Sequence, residues 1–163
     1  MPTRVGWDSC VFIDLLEQTA GRYDACEEMR KKAEEGNLVI VTSAIALVEV
    51  CKLPTSGLSD QEQSQKITDF FENPYITIRA VDRLIATAAR ELTRTHGLTA
   101  MDAVHVATAL EMAVEVLYTY DSVKGKRKGL LRHNLQIGKP PLRIEEPKIS
   151  PAGPLFQGSP GAP

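Results

Sequence analysis

The chain of 163 residues is 43% hydrophobic, 25% charged and 6% aromatic, with 11 glycines, 10 prolines and a formal net charge of −2. Such a composition excludes collagen-like, disordered and disulfide-scaffold proteins, and the length suits one domain that buries about two-thirds of its surface. Cys10, Cys26 and Cys51 make neither an even disulfide set nor a metal-ligand spacing, and the longest uncharged apolar stretch, Asn37 to Val48, is too short for a bilayer.

The amino terminus reaches Asp8 without a long apolar region, so no leader is expected and the cytoplasm is the expected compartment. Arg4 to Trp7 reads as a short strand leading into a helix from Cys10 to Leu16, capped by Asp8 or Ser9. Arg22 to Glu35 is a charged surface helix stopped by Gly36. The β-branched run Leu38-Val39-Ile40-Val41 predicts a buried strand. After it, Thr42-Ser43 caps a helix from Ala44 to Lys52, closed by Leu53-Pro54. That helix is apolar nearly all round, and burial is expected for it.

A further helix is predicted from Asp60 to Glu72, a strand from Tyr75 to Ala80, and a helix from Asp82 to His96 ending at Gly97. Thr99-x-x-Asp102 opens a helix of small apolar residues reaching about Glu115. Strands follow at Val116 to Tyr120 and at Leu142 to Glu145. Strands alternating with helices predict an α/β fold, a mostly parallel central sheet with helices on both faces. Residues 1–146 form the expected domain. Residues 147–163, with five of the ten prolines and three glycines, form an expected tail that builds no core of its own.

Charge is unevenly placed. Seven of the 19 basic residues lie between Ser122 and Ile144, where there is no acid, so the remaining 12 face all 21 acids. A confined basic segment on an acidic body fits a local contact with a polyanion, although a solvated surface run would look the same.

Open α/β sheets bind ligands beyond the carboxyl ends of their strands. Asp8 and Asp121 end two predicted strands, Glu49 follows a third, and Asp102 opens the helix before the Asp121 strand. Each has a plainer reading. Asp8 serves as an N-cap, Asp102 as the acidic member of a capping box, and Asp121 as a turn residue. Glu49 resists this, because a carboxylate on a buried apolar helix needs a compensating charge. Crowded carboxylates raise one another's pKa, and a hard divalent cation such as Mg²⁺ or Mn²⁺ relieves that conflict. A water made acidic by such an ion can attack a phosphodiester. The run Lys124-Gly125-Lys126-Arg127-Lys128 then stands ready to hold flanking phosphates. His105, among Ala103, Val104, Val106 and Ala107, reads as a hydrogen-bonded core histidine rather than a general base. Trp7 reads as core and the cysteines as inert.

Asp8-Ser9, the segment Ser43 through Glu49, the run Leu98-Thr99-Ala100-Met101-Asp102-Ala103-Val104-His105-Val106-Ala107-Thr108-Ala109, and Tyr118-Thr119-Tyr120-Asp121 together resemble the PIN domain. Over about residues 3–145 the chain is most similar to the VapC-type toxin ribonucleases. The resemblance implies a Mg²⁺- or Mn²⁺-dependent endoribonuclease with Asp8, Glu49, Asp102 and Asp121 as catalytic, metal-holding acids. It also implies an RNA substrate, a homodimer and a cognate antitoxin protein that inserts a segment at the site. Ser9 and Thr119 are candidate supporting hydroxyls, and Lys124, Lys126, Arg127 and Lys128 candidate RNA-binding residues. Ser122-Val123-Lys124 departs from the family, which often carries a further Asp or Asn and an aromatic there. That departure favours the alternative, a catalytically silent PIN-like module binding RNA or protein. A phosphatase with Asp8 as nucleophile is disfavoured, since Cys10 stands where a second Asp belongs.

Overall fold

The computed structural model describes residues 2–124, 127–133 and 136–149. In chain order the elements are β1 (Thr3–Trp7), α1 (Ser9–Leu16), α2 (Tyr23–Glu34), β2 (Leu38–Ser43), α3 (Ala46–Glu49), α4 (Asp60–Phe71), β3 (Ile76–Arg79), α5 (Arg83–His96), α6 (Ala100–Glu111), β4 (Val116–Tyr118), β5 (Val123–Lys124), β6 (Arg127–Lys128), a 3₁₀ turn (Leu130–Arg132) and β7 (Arg143–Glu145). Five strands form one sheet in the order β3-β2-β1-β4-β7. Every pairing in it is parallel. The expected mostly parallel α/β architecture is therefore an all-parallel sheet flanked by helices.

Alternation along the strands sorts the two faces. Val5, Trp7, Leu38 and Ile40 join one core with Val11, Phe12 and Leu15 of α1, Cys26 and Met29 of α2, and Ile67 and Phe71 of α4. Val41 and Leu117 join a second core with Ile85, Ala89 and Leu92 of α5 and Ala103, Val106 and Ala107 of α6. Helix α5 shows how sequence makes this choice, since its buried Ile85, Ala89 and Leu92 recur at helical spacing while Arg83, Arg90 and Arg94 stay exposed. Helix α6 is instead buried on nearly every side. Its small residues let it lie between the sheet and α5. No helix among the described residues is long and apolar enough to cross a membrane.

The predicted helix from Ala44 to Lys52 is a correction. Only the single turn α3 is helical, and Leu47 and Val48 are 46% and 64% exposed. The backbone leaves the helix because tertiary partners claim it, with Leu53 N–H donating to Gln63 Oε1 at 2.7 Å and Val50 and Leu53 sinking into the core. At the basic run, Val123–Lys124 and Arg127–Lys128 form the antiparallel pair β5–β6, with Val123 opposite Lys128 and Lys124 opposite Arg127. Of the expected tail, Pro147 to Ile149 are described and residues 150–163 lie outside the described residues.

Thr99 caps α6, its Oγ1 accepting Asp102 N–H at 3.2 Å. Thr99→Ala is expected to lower stability by about 1 kcal/mol, which for this chain length is a fall of about 2–4 °C in thermal midpoint. Thermal unfolding followed by circular dichroism checks it. An unchanged midpoint would mean that α6 starts without this cap.

Candidate metal centre

Strand register brings the first two groups together. Trp7 lies opposite Tyr118, and Asp8 N–H donates to Tyr118 O at 3.0 Å, so β1 and β4 end side by side. Asp8 and Thr119 are the next residues out, both buried. Thr119 Oγ1 donates to Asp8 Oδ2 at 2.7 Å and accepts Asp121 N–H at 2.9 Å. The other oxygen, Asp8 Oδ1, accepts Ser9 N–H at 2.7 Å. Asp8 is thus the N-cap of α1 in extended conformation, and it gains from the positive end of the helix dipole. Capping does not use up the carboxylate, because one oxygen makes the cap while both remain at the sheet edge.

Glu49 arrives from the end of α3. Ser9 Oγ–H donates to Glu49 Oε2, and His105 Nε2 donates to the same oxygen at 2.7 Å. The imidazole nitrogen also lies 3.4 Å from Asp8 Oδ1 and 3.3 Å from Ser9 Oγ. Asp8, Glu49 and His105 each offer one ligand atom, and those atoms all lie within 4.8 Å of one another. Burial disfavours charge on His105, which is 3% exposed, but the Glu49 hydrogen bond and the charges of Asp8, Glu49 and Asp102 outweigh it and raise its pKa.

Asp102 and Asp121 stand outside that group of three. Asp102 is buried in the first turn of α6, close enough to act electrostatically on His105 one turn later. Only the hydroxyl half of the expected capping box is formed there. Asp121 faces the 3₁₀ turn, where its Oδ2 accepts Leu130 N–H at 3.2 Å and its carbonyl accepts Leu131 N–H at 3.0 Å. A Cβ on Gly129 would lie 2.6 Å from Asp121 Cγ and Oδ1, so this close approach requires glycine. Ser9 and Thr119, the two expected supporting hydroxyls, both bond site carboxylates.

Cys10 completes the wall. Its Sγ lies 3.5 Å from Asp8 Oδ2 and accepts Tyr120 N–H at 3.2 Å, while burial and the Asp8 charge push its pKa up and keep the thiol protonated. The basic strand pair begins two residues after Asp121, tied back by Gly129 N–H to Ser122 O at 3.1 Å. Lys128 is exposed, Lys124 and Arg127 are placed by their backbone pairing, and Lys126 lies outside the described residues.

The sequence predicts His105 as a hydrogen-bonded core histidine, and it is buried and hydrogen-bonded, with the Glu49 carboxylate as its partner. The three-residue spacing of His105 from Asp102 was the available clue to a place at the site, since positions i and i+3 share a helix face. Two carboxylates and an imidazole, with Asp8 and His105 buried and Glu49 half-buried, form a donor set that fits a divalent cation, whose charge removes the repulsion between the acids.

The model of the PIN domain family matches residues 7–126. No curated protein sequence matches the chain. Among solved structures it is similar to a toxin–antitoxin complex from Klebsiella pneumoniae, at 24% identity and TM-score 0.52 over 72% of this chain and 87% of that one. It is also similar to VapC20 of Mycobacterium tuberculosis, a sarcin-ricin-loop-cleaving toxin, at 14% identity and TM-score 0.57, covering 75% of this chain and 91% of that one. A third is VapBC2 from Rickettsia felis bound to a DNA fragment of its promoter, at 15% identity and TM-score 0.59, covering 88% and 98% of the two chains.

Proposed function

The chain belongs to the PIN domain family, and on that footing we propose that it is a metal-dependent endoribonuclease, the toxin of a toxin–antitoxin pair. The observation that carries this reading is the convergence of Asp8, Glu49 and His105 at the carboxyl ends of adjacent parallel strands, with a basic strand pair close by in the chain. Neighbours that are toxins or toxin–antitoxin complexes support it.

In this reading Asp8 and Glu49 hold Mg²⁺ or Mn²⁺, with Asp102 and Asp121 completing the acidic site around it. The bound ion supplies Lewis acidity, lowering the pKa of an attacking water and offsetting charge that builds on the scissile phosphate. Thr119 and Ser9 orient the two carboxylates through their hydroxyls. Lys124, Lys126, Arg127 and Lys128 grip phosphates next to the cleaved bond and position the RNA without reading its sequence. The protein works as a homodimer in the cytoplasm and is restrained by a cognate antitoxin.

The silent binding module is retained as a second reading on one observation. Asp121 caps the 3₁₀ turn and stands apart from the three-donor group. End-labelled RNA incubated with the purified protein separates the two. Cutting is expected in Mn²⁺ or Mg²⁺ and none in EDTA. Metal binding without cutting on several RNAs would favour the module.

A further inference from the structure

Resting on the nuclease reading, we propose that His105 is itself a metal ligand, forming with Asp8 and Glu49 a two-carboxylate, one-imidazole set that prefers first-row transition ions to Mg²⁺. The acids expected from the sequence offer oxygen alone, and oxygen-only sites suit Mg²⁺, which dehydrates reluctantly. An imidazole nitrogen is a softer donor that Mg²⁺ seldom takes and that Mn²⁺, Co²⁺ or Zn²⁺ accept with rising affinity.

Geometry points to this role rather than to core packing. A structural histidine buried in an apolar core commonly satisfies its nitrogens on a carbonyl or a hydroxyl. Here Nε2 faces two carboxylates, at 2.7 Å and 3.4 Å, at the edge of the sheet. Its ring is held in place because Ala103, Val106 and Ala107, on the same helix, are buried in the second core. Only the Nε2 proton stands between this nitrogen and the Glu49 oxygen. An ion there would be held through the Nε2 lone pair of the neutral Nδ1–H tautomer, the proton now shared with Glu49 moving by way of solvent to Nδ1. Two carboxylates then balance the dication, and the neutral imidazole adds affinity without adding charge.

Pulsed EPR of the Mn²⁺-loaded protein is the direct test. We expect coupling from one directly bound imidazole ¹⁴N, converted to ¹⁵N coupling when histidine alone is ¹⁵N-labelled. In parallel, Co²⁺ and Mg²⁺ are titrated into wild type and His105→Gln, a substitution that keeps an N–H donor near Glu49 but has no ligating nitrogen. Co²⁺ affinity should fall about tenfold or more while Mg²⁺ affinity stays within about threefold. Manganese bound without nitrogen coupling, or equal losses for both ions, would overturn the proposal and leave the nuclease reading standing. Failure of folded wild type to bind any of these ions would overturn both. The labelled wild-type spectrum decides the matter even where His105→Gln fails to fold.

Discussion

Asp8→Asn is expected to lower RNA cleavage by about 10³-fold or more, or about 4 kcal/mol of transition-state stabilisation, with the fold intact. The substitution is nearly isosteric, and the amide oxygen can still accept Ser9 N–H and cap α1. At the other position the new amide donates, so the Thr119 hydroxyl must turn from donor to acceptor, which a hydroxyl can do. What disappears is one negative charge at the point where Glu49 and His105 converge. Outer partners of a ligand alone are worth 10–100-fold in affinity or activity, and a ligand itself should exceed that. Rates on end-labelled RNA in saturating Mn²⁺, beside the thermal midpoint, check it. Activity within about tenfold of wild type would show that the chemistry lies elsewhere.

The largest stability effect is expected in the core beneath that site. Phe12 is fully buried, with ring centroids 5.1 Å from Trp7, 6.1 Å from Phe70 and 4.8 Å from Phe71. It therefore joins α1 to β1 and α4 in one aromatic cluster. Phe12→Ala removes the ring's buried area and leaves a cavity that the rings on β1 and α4 cannot both close. The expected cost is about 3–5 kcal/mol, or roughly 6–20 °C in thermal midpoint. Urea unfolding should show a lower transition midpoint with an unchanged slope, because the surface exposed on unfolding hardly changes. A loss below about 1 kcal/mol would mean that α1 is not anchored through this ring. The consequence reaches function, since α1 begins at Asp8 and Ser9 and its seating positions both.

Much of the fold was legible because its determinants are local. Gly97 stops α5 in the left-handed conformation, Thr99 caps α6, and Asp8 caps α1, each recognisable from a few consecutive residues. Helix α5 was readable from the spacing of Ile85, Ala89 and Leu92. The segment after β2 was not, because its ending depends on Gln63, a residue of α4 that captures the Leu53 N–H across the fold. Local apolar periodicity carries no information about such a competitor. Glu49 therefore stands in a different setting from the buried helix that its sequence predicts. It sits at the end of one exposed helical turn rather than on a buried helix, and its importance comes from Ser9 and His105.

The sequence by itself determined which acids lie just past strand ends, which residues cap the helices, and that alternating strands and helices would make a parallel sheet. Those features depend on neighbours within a turn or a strand, where periodicity and capping chemistry act. Tertiary structure alone decided which groups meet. Parallel pairing of β1 with β4 places Asp8 beside Thr119, 111 residues away, and the packing of α6 brings His105 to Glu49 across 56 residues. It also set Asp121 against Leu130 N–H and brought a histidine, His105, within reach of Asp8 and Glu49. Convergence of this kind comes from strand register and helix packing, which are global solutions to burying two apolar faces, and no window of adjacent residues encodes them.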